Sequence, residues 1–172
     1  VPLDVTTRVV EFNDLGAMEA ALKNGHVAAI LMEPAMTNVG IVLPDDGYLV
    51  AVGELARKYG AVWIIDETHT ISAGYGGMTK RDELLPDIFI IGKCIGAGIP
   101  SGAYGFTQKV VDMINSHKDA DLLDVGGIGG TLAGNALSLA AMRATLGEVL
   151  TEQAFEHMVD LATRYTDQVN EA

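Results

Sequence analysis

Ala61-Val62-Trp63-Ile64-Ile65-Asp66-Glu67 and, further on, Ile88-Phe89-Ile90-Ile91-Gly92-Lys93 are the stretches on which the fold turns. Each is a short apolar run, rich in β-branched residues, that stops at a charge. That pattern predicts strands of a parallel sheet, buried on both faces. Such sheets bind ligands beyond the carboxyl ends of their strands. Asp66 and Lys93 then share one rim, a carboxylate and an amine at the ends of two buried strands. Burying a charge is costly unless it has a partner, so the pair marks a candidate site.

Working outward, Val27 to Met32 reads as a third buried strand, ending at Glu33-Pro34, and Arg8 to Phe12 as a short one. Asn13-Asp14 caps a helix from Leu15 to Lys23, with Leu15, Met18 and Leu22 at helical spacing. Asp45-Asp46-Gly47 opens a second helix whose apolar face is Leu49, Val52, Leu55 and Ala56. Tyr59-Gly60 closes it, with Arg57 and Lys58 in the last turn, where the helix dipole favours cations. Ala103 to Thr107 is a weak strand suited to a sheet edge, and Val110 to His117 a short helix. Residues 119–130 read as an irregular, Gly-rich surface segment. From about Leu132 the pattern is one long helix, with Gly147 as a point of interruption. Its tail carries a stripe of Phe155, Met158, Leu161 and Tyr165 with no obvious cover. Strand and helix alternate, so the fold class is α/β with a mostly parallel sheet flanked by helices.

A chain of 172 residues makes one domain or a piece of a larger one. Its formal net charge of -12 argues against nucleic acid and anionic membrane as partners. No apolar run has the length to span a bilayer and no basic leader is seen, so a cytoplasmic protein is expected. Cys94, the single cysteine, cannot form an internal disulfide, and no metal-type Cys/His spacing exists.

Several motifs carry competing readings. An apolar strand ending Asp-Glu-x-His, here Asp66 to His69, also describes the magnesium strand of P-loop helicases, but that reading needs a Gly-x-x-x-x-Gly-Lys-Ser/Thr loop and none is present. Gly126-Gly127-Ile128-Gly129-Gly130-Thr131 imitates a dinucleotide loop without following a strand. Leading into a helix, it can still offer backbone N–H groups to a phosphate. A lysine at a strand end is usually just solvated. A desolvated one has a lowered pKa and attacks aldehydes, and a carboxylate on the next strand is what a pyridoxal phosphate enzyme needs to hold its ring nitrogen protonated. His26, His117 and His157 read as structural residues on helix ends or surfaces.

The motifs Glu33-Pro34-x-x-x-Asn38-x-Gly40, Pro44-x-x-Gly47-Tyr48-Leu49, Asp66-Glu67-x-x-Thr70, Pro86-Asp87, Gly92-Lys93, Gly96-x-Gly98-x-Pro100-x-Gly102-Ala103 and Gly130-Thr131-x-x-Gly134-Asn135 follow one another in order. Together they resemble the class III pyridoxal-phosphate aminotransferases, from about Ala28 to Leu146. The resemblance implies the large domain of a fold-type I transferase. It makes Lys93 the Schiff-base lysine and Asp66 the partner of the pyridine nitrogen. Thr131 resembles the residue that reaches the phosphate of the cofactor in a neighbouring subunit, which implies a homodimer with shared sites. Asn38 stands where the glutamate-1-semialdehyde aminomutase branch places a residue near the cofactor's phenolic oxygen. The ornithine and 4-aminobutyrate branch usually has glutamate there.

The chain departs from the family pattern at the same loop. Thr68 replaces the usual valine or isoleucine that packs on the pyridine face, and His69 the usual glutamine or methionine. His69 either bonds the phenolic oxygen or faces solvent. Ile71-Ser72-Ala73 replaces Gly-Phe-Arg, so the arginine is lost. Family members are more than twice as long. By resemblance, residues 1–146 are the C-terminal half of the cofactor-binding large domain, and 147–172 a helix leading toward a small domain. The family's phosphate loop is expected before Val1, so this chain taken alone is not expected to be an active transaminase.

The implied activity is amino-group transfer between an amino acid or amine and a keto acid or aldehyde. An aminomutase that returns the amine to a neighbouring carbon is the alternative. A non-catalytic interaction domain is the rival from another class, and colour on binding pyridoxal phosphate discriminates it.

Overall fold

The computed structural model describes residues 3–116 and 128–172. His117 and most of the segment expected to be irregular, Gly126 and Gly127 included, lie outside the described residues. Four strands form one sheet in the order β1 (Ala29–Met32), β2 (Val62–Asp66), β3 (Ile88–Gly92), β4 (Gly102–Phe106). β1, β2 and β3 are parallel, with Ile30 opposite Trp63 and Asp66 opposite Ile90. β4 runs antiparallel to β3 and is an end strand of the sheet among the described residues, as its composition suggests. This is the mostly parallel α/β architecture expected.

After a first turn, α1 (Leu3–Thr6), the helices α2 (Leu15–Leu22) and α3 (Tyr48–Tyr59) supply much of the core. The Asp14 carboxylate accepts the Ala17 N–H at 2.8 Å and caps α2. Gly47 and Gly60 bound α3, both with positive φ, where an L side chain would be strained. Met18 and Leu22 of α2 and Leu49, Val52 and Ala56 of α3 pack with Ile30, Trp63 and Ile65 of the sheet. The fit at Gly53 is close: a Cβ there would meet the Trp63 ring at 2.6 Å. Beyond β2 come a 3-10 turn at Thr70–Ala73 and α4 (Gly77–Arg81), and beyond β4 comes α5 (Gln108–Ser116). Asp87, from the Pro-Asp motif, knits these layers. One oxygen accepts the Trp63 N–H and the other pairs with Lys109 of α5, each at 3.0 Å.

Four expectations are corrected. Residues 8–12 form no strand; among the described residues they pair with no other strand, and β-branched composition alone cannot supply a partner. Val9 is 95% exposed, while Val10 and Phe12 instead pack on the core. The parallel strands are not buried on both faces. Ile30 and Trp63 face the helices, but Leu31, the next residue of β1, is 66% exposed. The long C-terminal helix is two. One spans Ala136–Ala144, winds through a π-helical segment at Thr145–Val149 that contains Gly147, and stops at Leu150. The second, Glu152–Glu171, starts at the Thr151 cap. Thr131 lies in a turn ahead of the first helix, whose cap is Asn135, rather than at a helix start. Of the apolar stripe only Phe155 is buried; Met158, Leu161 and Tyr165 are exposed. Among the described residues no helix is long and apolar enough to cross a membrane.

Candidate active site

The carboxyl ends of three parallel strands deliver three chemical groups to one rim. Glu33 follows β1, Asp66 ends β2, and Lys93 follows β3. Asp66 is half-buried, and its Oδ1 accepts the Thr68 N–H at 2.9 Å. No hydrogen bond engages Oδ2 among the described residues, so one oxygen of this carboxylate is free for a ligand. The Thr68 side chain then folds over β3. A Cβ on Gly92 would meet Thr68 Cγ2 at 3.3 Å, so the loop after β2 lies tightly against the strand that leads into Lys93.

Lys93 is exposed in this chain, so its amine is solvated and the expectation of a desolvated lysine is corrected. Its φ is 52°, in the left-handed region that L residues other than Asn and Asp seldom visit. Such backbone costs on the order of 1–3 kcal/mol and persists where the surroundings impose it, often at functional sites. Here the constraint is a tight 3-10 turn, Lys93–Gly96, directly after the strand, with Ala97 again left-handed. The Lys93 amine makes no hydrogen bond or ion pair among the described residues.

Glu67, next to Asp66 in sequence, does something different. It is fully buried. Its carboxylate accepts the Thr70 hydroxyl at 2.5 Å, the Met78 N–H at 3.2 Å, and both the N–H and the hydroxyl of Thr79 at 2.5 and 2.6 Å. It therefore pins the loop after β2 to the start of α4. Of two adjacent acids, one is structural and the other is offered at the rim.

His69 finds partners that the sequence reading did not name. The Thr37 hydroxyl lies 2.6 Å from Glu33 Oε2 and is hydrogen-bonded to His69 Nδ1, which is itself 3.4 Å from Glu33 Oε2. The three come from the loops after β1 and β2. The one available signal was Glu33, an acid that directly follows the apolar run of β1. Asn38, the residue after Thr37, is exposed on a small loop closed by paired Met36 and Val42 backbone bonds of 3.0 Å. Thr131 is exposed in its turn. Neither forms a hydrogen bond with Asp66, His69 or Lys93. Asn135, from the same motif as Thr131, is a helix cap, and Ser138 beside it donates to Pro100 O at 3.0 Å, tying that helix to the loop after Lys93.

The model of the aminotransferase class-III family matches residues 5–172. The chain belongs to the class-III aminotransferases. A curated relative from Anaeromyxobacter sp. (strain Fw109-5), glutamate-1-semialdehyde 2,1-aminomutase, is 35% identical over 178 residues, covering 99% of this chain and 39% of the relative. A crystal structure of a glutamate-1-semialdehyde aminomutase from Pseudomonas aeruginosa PAO1, a lysine-to-alanine variant in complex with PMP, superposes with a TM-score of 0.85 at 50% identity. It covers 95% of this chain and 37% of that one. The ornithine aminotransferase from Toxoplasma gondii superposes with a TM-score of 0.78 at 28% identity, over 95% of this chain and 37% of that one. The class-III chain described here thus spans about two fifths of the length of the curated relatives it matches.

Proposed function

We propose that the protein transfers amino groups between an amino acid or amine and a keto acid or aldehyde, with pyridoxal 5'-phosphate as cofactor. The observation that carries this is the pairing at the rim. A class-III chain presents a carboxylate with one free oxygen and an unengaged amine at the carboxyl ends of adjacent parallel strands. That donor set fits the group: an amine for an aldehyde carbon, and a carboxylate for a protonated ring nitrogen.

When bound, pyridoxal phosphate supplies an aldehyde that captures the amine and a ring that accepts an electron pair. Lys93 Nζ is the residue to tether it. Once displaced, the same nitrogen can take the proton from the substrate carbon and return it, as general base and then acid. Asp66 would hold the ring N–H and keep it protonated, with Oδ2 the oxygen left open by the Oδ1 bond to the Thr68 N–H. Thr68 is assigned to the ring face and His69 and Asn38 to the phenolic side. Thr131 is assigned to the phosphate in a neighbouring subunit, which makes the working unit a homodimer. Residues 1–146 belong to the large domain, with 147–172 leading out of it, and the setting is cytoplasmic.

A second reading, 2,1-aminomutase activity on a small amino aldehyde, is favoured by the names of the relatives and by Asn38 where the ornithine branch usually has glutamate. It uses the same residues and differs in returning the amine to the same molecule. Asp66→Asn tests the common core. The amide keeps an acceptor for the Thr68 N–H, so the folded protein is expected to survive. Loss of a neighbouring opposite charge lowers a base's pKa by about 1–3 units, so turnover is expected to fall about 10- to 1,000-fold. Steady-state assays over a panel of amino donors, with circular dichroism for the fold, read both. Turnover near the unmodified level would make Asp66 a mere strand end.

A further inference from the structure

The Glu33–Thr37–His69 chain has a consequence that follows from counting hydrogens. Thr37 carries one hydroxyl hydrogen, and two acceptors compete for it. Glu33 Oε2, 2.6 Å away, is a carboxylate oxygen and the stronger acceptor. With that hydrogen directed to Glu33, the Thr37 oxygen has only lone pairs left for His69. The contact between them then requires the hydrogen on His69 Nδ1. The other ring nitrogen, Nε2, makes no hydrogen bond among the described residues. The hydrogen bond made by one ring nitrogen decides what the other can do.

We propose that Glu33 and Thr37 are positioning residues that hold neutral His69 as its Nδ1–H tautomer. Nε2 is then a lone-pair acceptor, presented at the rim that carries Asp66 and Lys93, for an O–H or N–H donor of the bound ligand. Free histidine in water prefers the opposite tautomer, so the state is diagnostic of the relay. It also makes His69 chemically unlike glutamine, whose amide can donate, and unlike methionine, whose thioether accepts only weakly. If Nε2 takes a proton from its ligand, the imidazolium stays hydrogen-bonded through the Thr37 hydroxyl to Glu33. That is the logic by which a buried carboxylate supports a catalytic histidine, here with one hydroxyl between. Two donors have the right chemistry under the cofactor reading on which this second half rests. One is the phenol of pyridoxal phosphate and the other is the ammonium of the incoming substrate.

The test is histidine-nitrogen NMR on isotopically labelled full-length protein without cofactor, where the tautomer is independent of the functional reading. His69→Gln removes one histidine signal and so assigns it to His69. The expected result is the Nδ1–H form for His69 in the unmodified protein and in Thr37→Ser, which keeps the hydroxyl. Thr37→Val, of the same shape without it, is expected to lose that form. An Nε2–H tautomer in the unmodified protein, or an unchanged spectrum in Thr37→Val, overturns the relay.

Pyridoxal phosphate is then added alone, followed by an amino acid donor, with uptake monitored by absorbance. A shift of the Nε2 signal with pyridoxal phosphate alone assigns the donor to the cofactor. A shift only on adding the amine assigns it to the substrate. No shift at either step, in protein that has taken up the cofactor, overturns the rim role. Failure to take up the cofactor contradicts the proposed function instead and leaves the relay to stand or fall on its tautomer.

Discussion

Lys93→Ala is expected to lower amino transfer about 10³-fold while leaving the fold intact. The size follows from removing a general acid–base group, which contributes about 10²–10⁴-fold, and the tether is lost as well. The survival of the fold follows from the side chain's surroundings: Lys93 is exposed and bonds to nothing among the described residues. Substitutions of that kind usually change stability by less than about 0.5 kcal/mol. Alanine keeps the same left-handed backbone requirement as lysine at φ 52°, so no strain is added or relieved. Turnover assays paired with denaturant unfolding separate the two effects. A variant that unfolds like the unmodified protein and retains turnover within about threefold contradicts the role given to Lys93; the threshold is small beside the expected acid–base loss.

Glu67→Ala is expected to do the reverse, costing stability before chemistry. The carboxylate is fully buried and accepts from Thr70, Met78 and, twice, Thr79. Each donor left unpaired in the interior costs about 1–3 kcal/mol, less wherever water enters the space. A net loss of about 3–5 kcal/mol is expected, a large part of the 5–15 kcal/mol by which domains are stable. Glu67→Gln keeps one acceptor oxygen but turns an NH₂ toward other donors, so an intermediate loss is expected. Urea unfolding at constant m-value measures both. A cost below about 1 kcal/mol for alanine shows that the loop after β2 is held by something else.

Asp66 and Glu67, two neighbouring acids with different fates, show where the sequence was legible. Asp66 and Lys93 were readable because an apolar run that stops at a charge marks the rim of a parallel sheet, whichever helices later cover it. The limits of α3 were readable from Gly47 and Gly60, since positive φ is a local demand. Glu67 was read only as part of a motif. Its burial depends on Thr70, Met78 and Thr79 closing over it, and that geometry exists only once the loop is folded. The Glu33–Thr37–His69 chain spans two strands and was hidden for the same reason. Residues 8–12 failed as a strand because β-branched composition cannot supply a neighbouring edge. Exposure of Leu31 was missed because an apolar run says that cover is wanted, not which surface provides it.

The most direct test of the site is covalent. Full-length protein is loaded with pyridoxal phosphate, reduced with borohydride, digested and mapped by mass spectrometry. The expected result is a single pyridoxyl adduct on Lys93, absent from Lys93→Ala. An adduct on Lys80, Lys109 or another lysine, with Lys93 unmodified, contradicts the account.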